Sequence, residues 1–308
     1  VTLSNGFQCT DVPVFDGYYV KTGEMLICLY PGMDVPLLAR AQKSTVWDEA
    51  NPDENTVARI TLREKGAYKE IQSALSLRYE NDPALFPSAD VFANFREIRG
   101  GKLKEGIFYR SASPINNIFG RAKYANDFAE EYGITRFLDL SDNEQEILEQ
   151  YAKSDFQSTY FQSIHEAGGV LALDLSPDFS SSDYQTKVAS ALLEVTASGE
   201  PTLIHCVEGK DRTGFVSMLL LALADGTVEE ITADYMKTYE NYYGITETSN
   251  PERYQIIVDL KLHDFFDYLQ SLCGTDSIKD GVRAYLIGGG LTEAQVDEII
   301  RNITVQEG

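Results

Sequence analysis

The stretch Pro201-Thr-Leu-Ile-His-Cys-Val-Glu-Gly-Lys-Asp-Arg-Thr-Gly214 decides the fold, because it joins two elements that are both predicted to be buried. Its first part, from Pro201 to Cys206, is a short apolar run of the kind found in strands that are buried on both faces. The residues from Arg212 to Asp225 then predict a helix that is apolar nearly all round, and such a helix belongs in a core. A buried strand that leads into a buried helix indicates an α/β domain.

The segments on either side of this stretch also alternate between helix and strand. Upstream, Arg121 to Tyr132 predicts a polar helix and Ile134 to Leu140 predicts a strand. A second helix is predicted from Tyr184 to Ala197, with Asp183 as its N-cap and Gly199 as its end. Downstream, further helices are predicted over residues 228–242, 251–272, 278–287 and 292–303. Together these elements predict a sheet flanked by helices.

Residues 1–85 have a different character and predict a smaller β-rich N-terminal domain, whose role the sequence does not indicate. The stretch 17–32 is predicted to form a strand, a glycine-containing turn and a second strand. Ala58, Ile60 and Leu62 alternate as in a half-buried strand, and a helix is predicted within 67–78. Two prolines mark residues 80–88 as a linker. We therefore divide the chain into domains of residues 1–85 and 86–308.

The charge of the chain excludes a general polyanion-binding protein. With 48 acidic and 26 basic residues its net charge is −22, so at long range it repels nucleic acid and anionic lipid headgroups. One local positive pocket is compatible with this charge, because charges beyond about 8–10 Å are screened in solution. The longest strongly apolar run, residues 215–224, is shorter than the ~20 residues that a transmembrane helix needs. We expect neither a nucleic-acid partner nor a transmembrane segment.

The four cysteines at positions 9, 28, 206 and 273 lack the close spacing of a zinc site, and they are too few for a disulfide scaffold. Cys9 and Cys28 both fall in the β-rich region and would be able to pair in an exported protein; reduced, structural thiols are the alternative. The chain begins at Val1 and shows no signal peptide. An exported mature form and a cytoplasmic protein both stay open.

The loop over residues 206–211 has the composition of an anion-binding site. Its backbone N–H groups can converge at a helix N-terminus, which carries about half a positive charge, and Gly209 lets the backbone turn without a side chain in the way. The same field stabilises a thiolate at Cys206. Six residues later, Arg212 can grip two phosphate oxygens, and the Thr213 hydroxyl is near enough in sequence to assist departure of the thiolate. One loop thus supplies a nucleophile, an anion cradle and a charge clamp.

The sequence His205-Cys-Val-Glu-Gly-Lys-Asp-Arg-Thr-Gly214 resembles the protein tyrosine phosphatase signature His-Cys-x5-Arg-Thr. It is more closely similar to His-Cys-x-x-Gly-Lys-Asp-Arg-Thr-Gly of bacterial tyrosine phosphatases, a group that includes enzymes active on phosphoinositides. Residues 108–112 and 133–141 also look like elements of that group, so the resemblance covers about residues 90–300. It implies a protein tyrosine phosphatase-like sheet and a phosphatase that works through a phosphocysteine at Cys206, without a metal or other cofactor.

The resemblance also implies roles for the residues near Cys206. Substrate binding falls to the loop and the first turn of the helix, namely Val207, Glu208, Gly209, Lys210 and Thr213. Lys210 adds positive charge that would attract a second phosphate on an inositol ring. His205 is expected to support the loop through its ring or its backbone. Arg110 and Asp139 are predicted to pair and to position the loop from below, with an ordinary structural ion pair as the alternative reading.

The general acid is left open between two aspartates. Asp211 lies in the loop, and in the resembling bacterial group the equivalent aspartate has the acid role; its structural alternative is to orient Arg212 or to cap the helix. Asp174 lies 32 residues before Cys206, a spacing that resembles the mobile acid loop of related phosphatases. Asp178 is a weaker neighbour.

The sequence therefore predicts a phosphatase acting on phosphotyrosine, with phosphoinositides or inositol phosphates as further candidate substrates. Its partner would be a phosphorylated protein or a phosphorylated inositol or lipid. The alternative from another class is a phosphate-dependent binding module, a pseudophosphatase with a vestigial pocket. His165 and His263 have no acidic or cysteine partner at metal-ligand spacing and are predicted to be surface or packing residues.

Overall fold

The computed structural model describes residues 1–42, 45–154, 156 and 159–305, and within them the chain forms two compact units. The first unit comprises residues 1–78 and 250–264. The second comprises residues 79–249 and the chain from residue 265 onward. The domain boundary between residues 85 and 86 stays a prediction from the sequence.

The described strands form three sheets: β1 with β5, β2–β3–β4, and β6–β7–β10–β8–β9. In chain order the strands are β1 (Thr2–Leu3), β2 (Val14–Phe15), β3 (Met25–Cys28), β4 (Leu37–Arg40), β5 (Ala58–Arg59), β6 (Arg96–Glu97), β7 (Phe108–Ser111), β8 (Arg136–Asp139), β9 (Val170–Ala172) and β10 (Thr202–His205). The first two sheets belong to the first unit and the third belongs to the second unit.

The described helices occur in both units. They are α1 (Val46–Ala50), α2 (Lys69–Leu75), α3 (Ala89–Ala93), α4 (Ala122–Glu131), α5 (Glu144–Tyr151), α6 (Thr159–Glu166), α7 (Ser182–Ser198), α8 (Asp211–Leu223), α9 (Val228–Tyr243), α10 (Pro251–Ile257), α11 (His263–Cys273), α12 (Ile278–Gly288) and α13 (Glu293–Ile303). A 3₁₀ turn spans Pro83–Leu85, and a π-helical turn, Val258–Leu262, lies between α10 and α11 where the sequence predicted one uninterrupted helix.

The first unit is held together by small separate clusters. One cluster centres on Phe15, Leu26 and Cys28, and another on Leu3, Val46 and Ala50. The segment 250–264 belongs to this unit through polar contacts as well: the Arg253 Nε donates to the Ala74 carbonyl at 2.9 Å, and the Thr22 hydroxyl donates to Asp264 at 2.8 Å.

The first unit contains strands, as predicted, but also the helices α1, α2 and α10, and two of its strands were predicted wrongly. Residues 17–23 contain bends and a turn but no strand, and β3 pairs instead with β2 and β4. Ile60 and Leu62 were predicted on a half-buried strand, yet both are exposed, because β5 ends at Arg59. Alternation of apolar residues indicates a strand only where a neighbouring layer covers one face.

The second unit is built on a mixed sheet with a buried centre. β7, β10, β8 and β9 run parallel, and β6 pairs antiparallel with β7 at one edge. Leu203 of the central strand β10 is in register with Tyr109 and Phe137. These three side chains share one cluster with apolar residues of α4, α5 and α6, while Ile204 is buried on the other face. The predicted α/β architecture, a sheet flanked by helices, is therefore confirmed.

The helices beside the sheet follow the sequence closely, with one correction. Every residue of α8 from Thr213 to Leu223 is buried, as its apolar composition predicts. Gly199 ends α7 in the left-handed conformation with φ 67°. The N-cap of α7 is Ser181, whose hydroxyl accepts the Tyr184 N–H, and not Asp183, which lies inside the first turn.

Candidate active site

Three parallel strands of the second unit end at one edge of the sheet. His205 at the end of β10 is in register with Ser111 of β7 and with Asp139 of β8. Ligands of open α/β sheets bind outside the carboxyl ends of the strands. The loops that leave these strands therefore define the candidate site, and Cys206 begins the central one.

Cys206 lies where the sequence placed the nucleophile. It follows β10 directly, is 3% exposed, and opens the loop over residues 206–210 that leads into α8. We call residues 206–210 the catalytic loop. Gly209 in this loop has φ +65°, and a Cβ at this position would overlap the Ser111 carbonyl, so the loop can pass this close to β7 only with glycine.

The carbonyl groups of the catalytic loop are tied to the surrounding structure. The Val207 carbonyl accepts the Ser113 N–H at 3.1 Å, and the Glu208 carbonyl accepts the Tyr242 hydroxyl at 2.6 Å. The Gly209 carbonyl accepts Arg110 Nη2 at 2.8 Å and Asn94 Nδ2 at 3.2 Å. In a planar trans peptide the N–H points opposite to the C=O. The N–H groups of the same three peptides belong to Glu208, Gly209 and Lys210. They therefore point away from the groups that hold the carbonyls.

Arg110 supports the catalytic loop, but not with the predicted partner. Its side chain is fully buried and pairs with Asp234 of α9, which also accepts Arg96 Nε at 3.1 Å. Burial alone would raise the pKa of Asp234, but the two guanidinium groups hold it below its ordinary value. The predicted Arg110–Asp139 pair is therefore wrong: Arg110 is turned toward α9, whereas Asp139 lies at the end of β8.

Asp139 and His205 form a buried polar group beside Cys206. Asp139 Oδ1 accepts the N–H groups of Ser141 at 2.9 Å and Asp142 at 3.1 Å, and burial raises the pKa of Asp139 to about 6. The His205 ring lies with Nδ1 3.8 Å from Asp139 Oδ1, and within the described residues neither ring nitrogen has a hydrogen-bond partner. Burial lowers the pKa of His205 to about 4, so the ring is neutral at pH 7. The His205 carbonyl accepts the Leu140 N–H at 2.9 Å.

Arg212 reaches the segment that carries Asp174. Its Nη1 donates to the Leu175 carbonyl at 3.0 Å. The Leu175 N–H donates to the Leu140 carbonyl at 3.0 Å and the Asp174 N–H to the Asp142 carbonyl at 3.2 Å, which fixes this segment against the loop after β8. Asp174 itself has φ +46° and an exposed side chain. The structure thus brings Arg212 and the Asp174 segment together.

The remaining predicted acids lie in different settings. Asp211 is the first residue of α8, in the first turn where a carboxylate interacts favourably with the helix dipole, and its side chain is 58% exposed. Asp178 accepts both the N–H and the hydroxyl of Ser180, so its carboxylate stabilises the turn before α7. Thr213 is buried, and its hydroxyl has no hydrogen-bond partner within the described residues.

Lys210 is held by its own neighbours. Its ammonium lies 2.7 Å from Glu208 Oε2 and 3.8 Å from Asp211 Oδ2, and it donates to the Tyr79 hydroxyl at 3.0 Å. The side chain is 12% exposed. Burial alone would lower the pKa of Lys210, but the Asp211 and Glu208 carboxylates raise it well above its ordinary value.

Sequence reasoning missed the residues of α9 that support the catalytic loop. Asp234 is 124 positions from Arg110, and Tyr242 is 34 positions from Glu208. No local pattern marks either residue, since both lie on the ordinary polar and apolar positions of α9. The one available signal is the presence of arginines in segments that become buried, because a buried guanidinium requires a carboxylate partner somewhere in the fold.

The histidines and cysteines outside the site have ordinary surroundings. His165 Nδ1 lies 2.9 Å from the Tyr151 hydroxyl, and His263 Nδ1 lies 3.1 Å from Asp259. All four cysteines are free thiols, so Cys9 and Cys28 are not paired. Within the described residues, no cluster of three or more His, Cys, Asp or Glu side chains is placed to hold a metal ion, and no helix has the length and apolarity to cross a membrane.

The chain matches a known family over most of its length. Residues 88–305, more than two thirds of the 308 residues, match the tyrosine phosphatase family. The chain therefore belongs to the tyrosine phosphatase family, which confirms the resemblance carried by residues 205–214.

Two relatives match over shorter regions. The triple specificity protein phosphatase PtpB of Mycobacterium tuberculosis is 32% identical over 80 residues, which is 26% of this chain and 29% of that protein. A putative tyrosine-protein phosphatase of Cupriavidus necator is 40% identical over 55 residues, which is 18% of this chain and 20% of that protein. The matched regions span less than a third of either relative.

Among solved structures, the crystal structure of P. aeruginosa TpbA aligns with 60% of this chain and 96% of its own chain. The identity is 16% and the TM-score is 0.32. This likeness is too low to support a statement about fold or activity.

Proposed function

We propose that the protein is a phosphomonoester hydrolase that acts on phosphotyrosine through a phosphocysteine at Cys206. One observation carries the proposal: the carbonyls of Val207, Glu208 and Gly209 are all held by the surrounding structure, which turns the N–H groups of the same peptides away from those contacts and toward a position where they can bind an anion beside the Cys206 thiol. Membership in the tyrosine phosphatase family supports the same chemistry.

The reaction follows from this arrangement in two steps. In the first step the Cys206 thiolate attacks phosphorus, the S–P bond forms, and the bond to the leaving oxygen breaks as an acid donates a proton to that oxygen. Arg212 and the N–H groups of the catalytic loop stabilise the negative charge on the phosphoryl oxygens. In the second step a water molecule attacks phosphorus and loses a proton to the same carboxylate. The S–P bond breaks, which releases inorganic phosphate and regenerates the Cys206 thiolate.

Two carboxylates remain candidates for the acid. Asp211 lies at the start of α8, beside the catalytic loop, and its side chain is 58% exposed. Asp174 is also exposed, and its segment is fastened to Arg212 through the Leu175 carbonyl. A carboxyl group in either place can serve first as acid and then as base.

The substrate class is proposed as phosphotyrosine, with phosphoinositides or inositol phosphates as the further substrates that the catalytic-loop sequence implies. An aryl phosphate needs the anion cradle and one guanidinium, both of which the second unit supplies. A polyphosphorylated substrate would need additional cations near the catalytic loop, and Lys210 is the candidate for that role.

The test is turnover of para-nitrophenyl phosphate and of a phosphotyrosine peptide by the full chain and by Cys206→Ser. We expect the variant to lose activity to the background rate, because a serine hydroxyl is a much weaker nucleophile toward phosphorus than a thiolate. Cys273→Ser is the matched control, since this thiol is at the last residue of α11 and contacts Thr275. Activity that survives Cys206→Ser, or that falls equally in both variants, would overturn the proposal.

A further inference from the structure

The positive charge of Lys210 is already paired with neighbouring carboxylates. Its ammonium is within ion-pair distance of Glu208 and Asp211, at 2.7 and 3.8 Å, and its hydrogen bond to Tyr79 is 3.0 Å long. The carboxylate of Glu208 is itself 25% exposed and the lysine side chain 12% exposed. Both charges are therefore largely withdrawn from water and are neutralised by each other.

The position of Lys210 is further fixed by aromatic rings. The Tyr79 ring packs against Phe119 with 4.6 Å between centroids and against Tyr243 with 5.5 Å, so the hydroxyl that accepts from Lys210 is held in place. Turning the lysine toward a ligand would break this hydrogen bond and would leave Glu208 as a partly buried carboxylate without its counter-charge. Removing one member of such a pair is costly.

These contacts decide what a second phosphate would meet. Within residues 205–214, Lys210 is paired with the acidic side chains of Glu208 and Asp211, and burial lowers the pKa of His205 to about 4. Arg212 is thus the cation of this stretch that is not ion-paired within it, and one phosphate group uses it. An additional phosphate close to the catalytic loop would approach the Glu208 carboxylate, and like charges brought together at an interface are strongly unfavourable.

We infer that Glu208 is a specificity-determining residue that restrains Lys210 and restricts the site to substrates with a single phosphate group near the catalytic loop. This inference rests on the proposed function and narrows it: phosphotyrosine is favoured over inositol rings that carry neighbouring phosphates. Release of Lys210 would convert the same loop into one with a free ammonium beside the bound phosphate.

The experiment compares kcat/KM for a phosphotyrosine peptide with kcat/KM for a short-chain phosphatidylinositol bisphosphate. In Glu208→Gln, which keeps the shape of the side chain and removes its charge, we expect the ratio of bisphosphate to peptide activity to rise by about tenfold or more. Glu208→Asp retains the charge and should return the ratio toward that of the unmodified protein.

Two further variants separate release of Lys210 from simple loss of a negative charge. Glu208→Gln combined with Lys210→Gln should lose the gain, because the freed ammonium produces it. Glu194→Gln removes one charge from α7, where Glu194 pairs with Arg136 at 2.8 Å at the start of β8, the opposite end of the strand from the site. It should leave the ratio unchanged.

The inference is overturned if Glu208→Gln leaves the ratio unchanged, if the double variant keeps the gain, or if the unmodified protein already prefers the bisphosphate. A chain that turns over neither substrate would contradict the proposed function instead. In that case binding of inorganic phosphate and of pyrophosphate to Cys206→Ser, measured by calorimetry with and without Glu208→Gln, decides the matter. Pyrophosphate affinity should rise relative to phosphate affinity only with Glu208→Gln, and equal changes for both ligands would overturn the inference.

Discussion

The two sides of the catalytic loop are built on opposite principles. Behind the loop, the buried side chains of Arg110 and Tyr242 donate hydrogen bonds to backbone carbonyls of the loop, and the largely buried Asp234 pairs with Arg110. In front of it, Asp211 and Asp174 are exposed, and neither carboxylate is locked in a buried contact. In the proposed reaction this difference would divide two tasks: the buried contacts fix the backbone of the anion-binding loop, whereas proton transfer would fall to an exposed carboxylate.

The largest effect should come from the front of the loop, where the variants Asp211→Asn and Asp174→Asn identify the acid. Loss of the true acid should lower kcat for phenyl phosphate by about 10²–10⁴, because phenolate is a poor leaving group without a proton. With a leaving group of low pKa the same variant should lose little. Steady-state kinetics across a series of aryl phosphates measures this dependence. If both variants keep the dependence of the unmodified protein, neither aspartate is the acid.

Behind the loop, Asp234→Asn should mainly change stability. The substitution leaves Arg110 and Arg96 buried around a neutral amide, and we expect the free energy of unfolding to fall by about 3 kcal/mol. Denaturant unfolding monitored by fluorescence measures this loss. Glu194→Gln breaks an exposed ion pair with Arg136 and should cost less than about 1 kcal/mol. Equal losses in the two variants would remove the distinction between a buried support and a surface pair.

A smaller effect should appear in the pH dependence of stability. Burial raises the pKa of Asp139 from 3.8 to about 6, so the folded chain binds this proton more tightly than the unfolded chain. The contribution of Asp139 is therefore most favourable below about pH 4 and is lost as the pH rises through 6. Asp139→Asn should remove this loss. On going from pH 4 to pH 7, the free energy of unfolding of the variant should therefore change by about 2 kcal/mol more favourably than that of the unmodified protein.

Denaturant unfolding of Asp139→Asn and of the unmodified chain at pH 4, 5, 6 and 7 tests this shift. The amide keeps an oxygen that can accept the Ser141 and Asp142 N–H groups, so the comparison isolates the proton. Parallel stability profiles for the two proteins would show that the folded chain does not bind the extra proton at Asp139.

Features that depend only on residues close together in the chain could be predicted from the sequence. The proposed anion-binding loop is contiguous in the chain, so the sequence placed Cys206, Gly209 and Arg212 correctly between β10 and the first turn of α8. The partner of Arg110 could not be predicted, because Asp234 lies 124 positions away on an otherwise ordinary helix. The N-cap of α7 was misplaced by two residues because Ser181 and Asp183 are both residue types that cap helices.

The first unit was harder to predict for a related reason. Its strands β1, β2 and β5 contain two residues each, too few to show the alternation that identifies a strand. Its cores are small and separate, so apolar residues such as Ile60 and Leu62 remain at the surface, 51% and 70% exposed. In the second unit, the wholly buried strand β10 and helix α8 leave far less freedom, and their predicted positions agree with the structure within two residues.

The return of residues 250–264 to the first unit limits how the chain can be shortened. A truncated protein that starts near residue 79 would still contain α10 and the π-helical turn, but Arg253 would lose the Ala74 carbonyl and Asp264 would lose Thr22. Apolar residues of that segment would at the same time become exposed to solvent, which favours aggregation. Trimming from the N-terminus alone therefore does not yield a clean catalytic fragment; residues 250–264 have to be redesigned together with the cut.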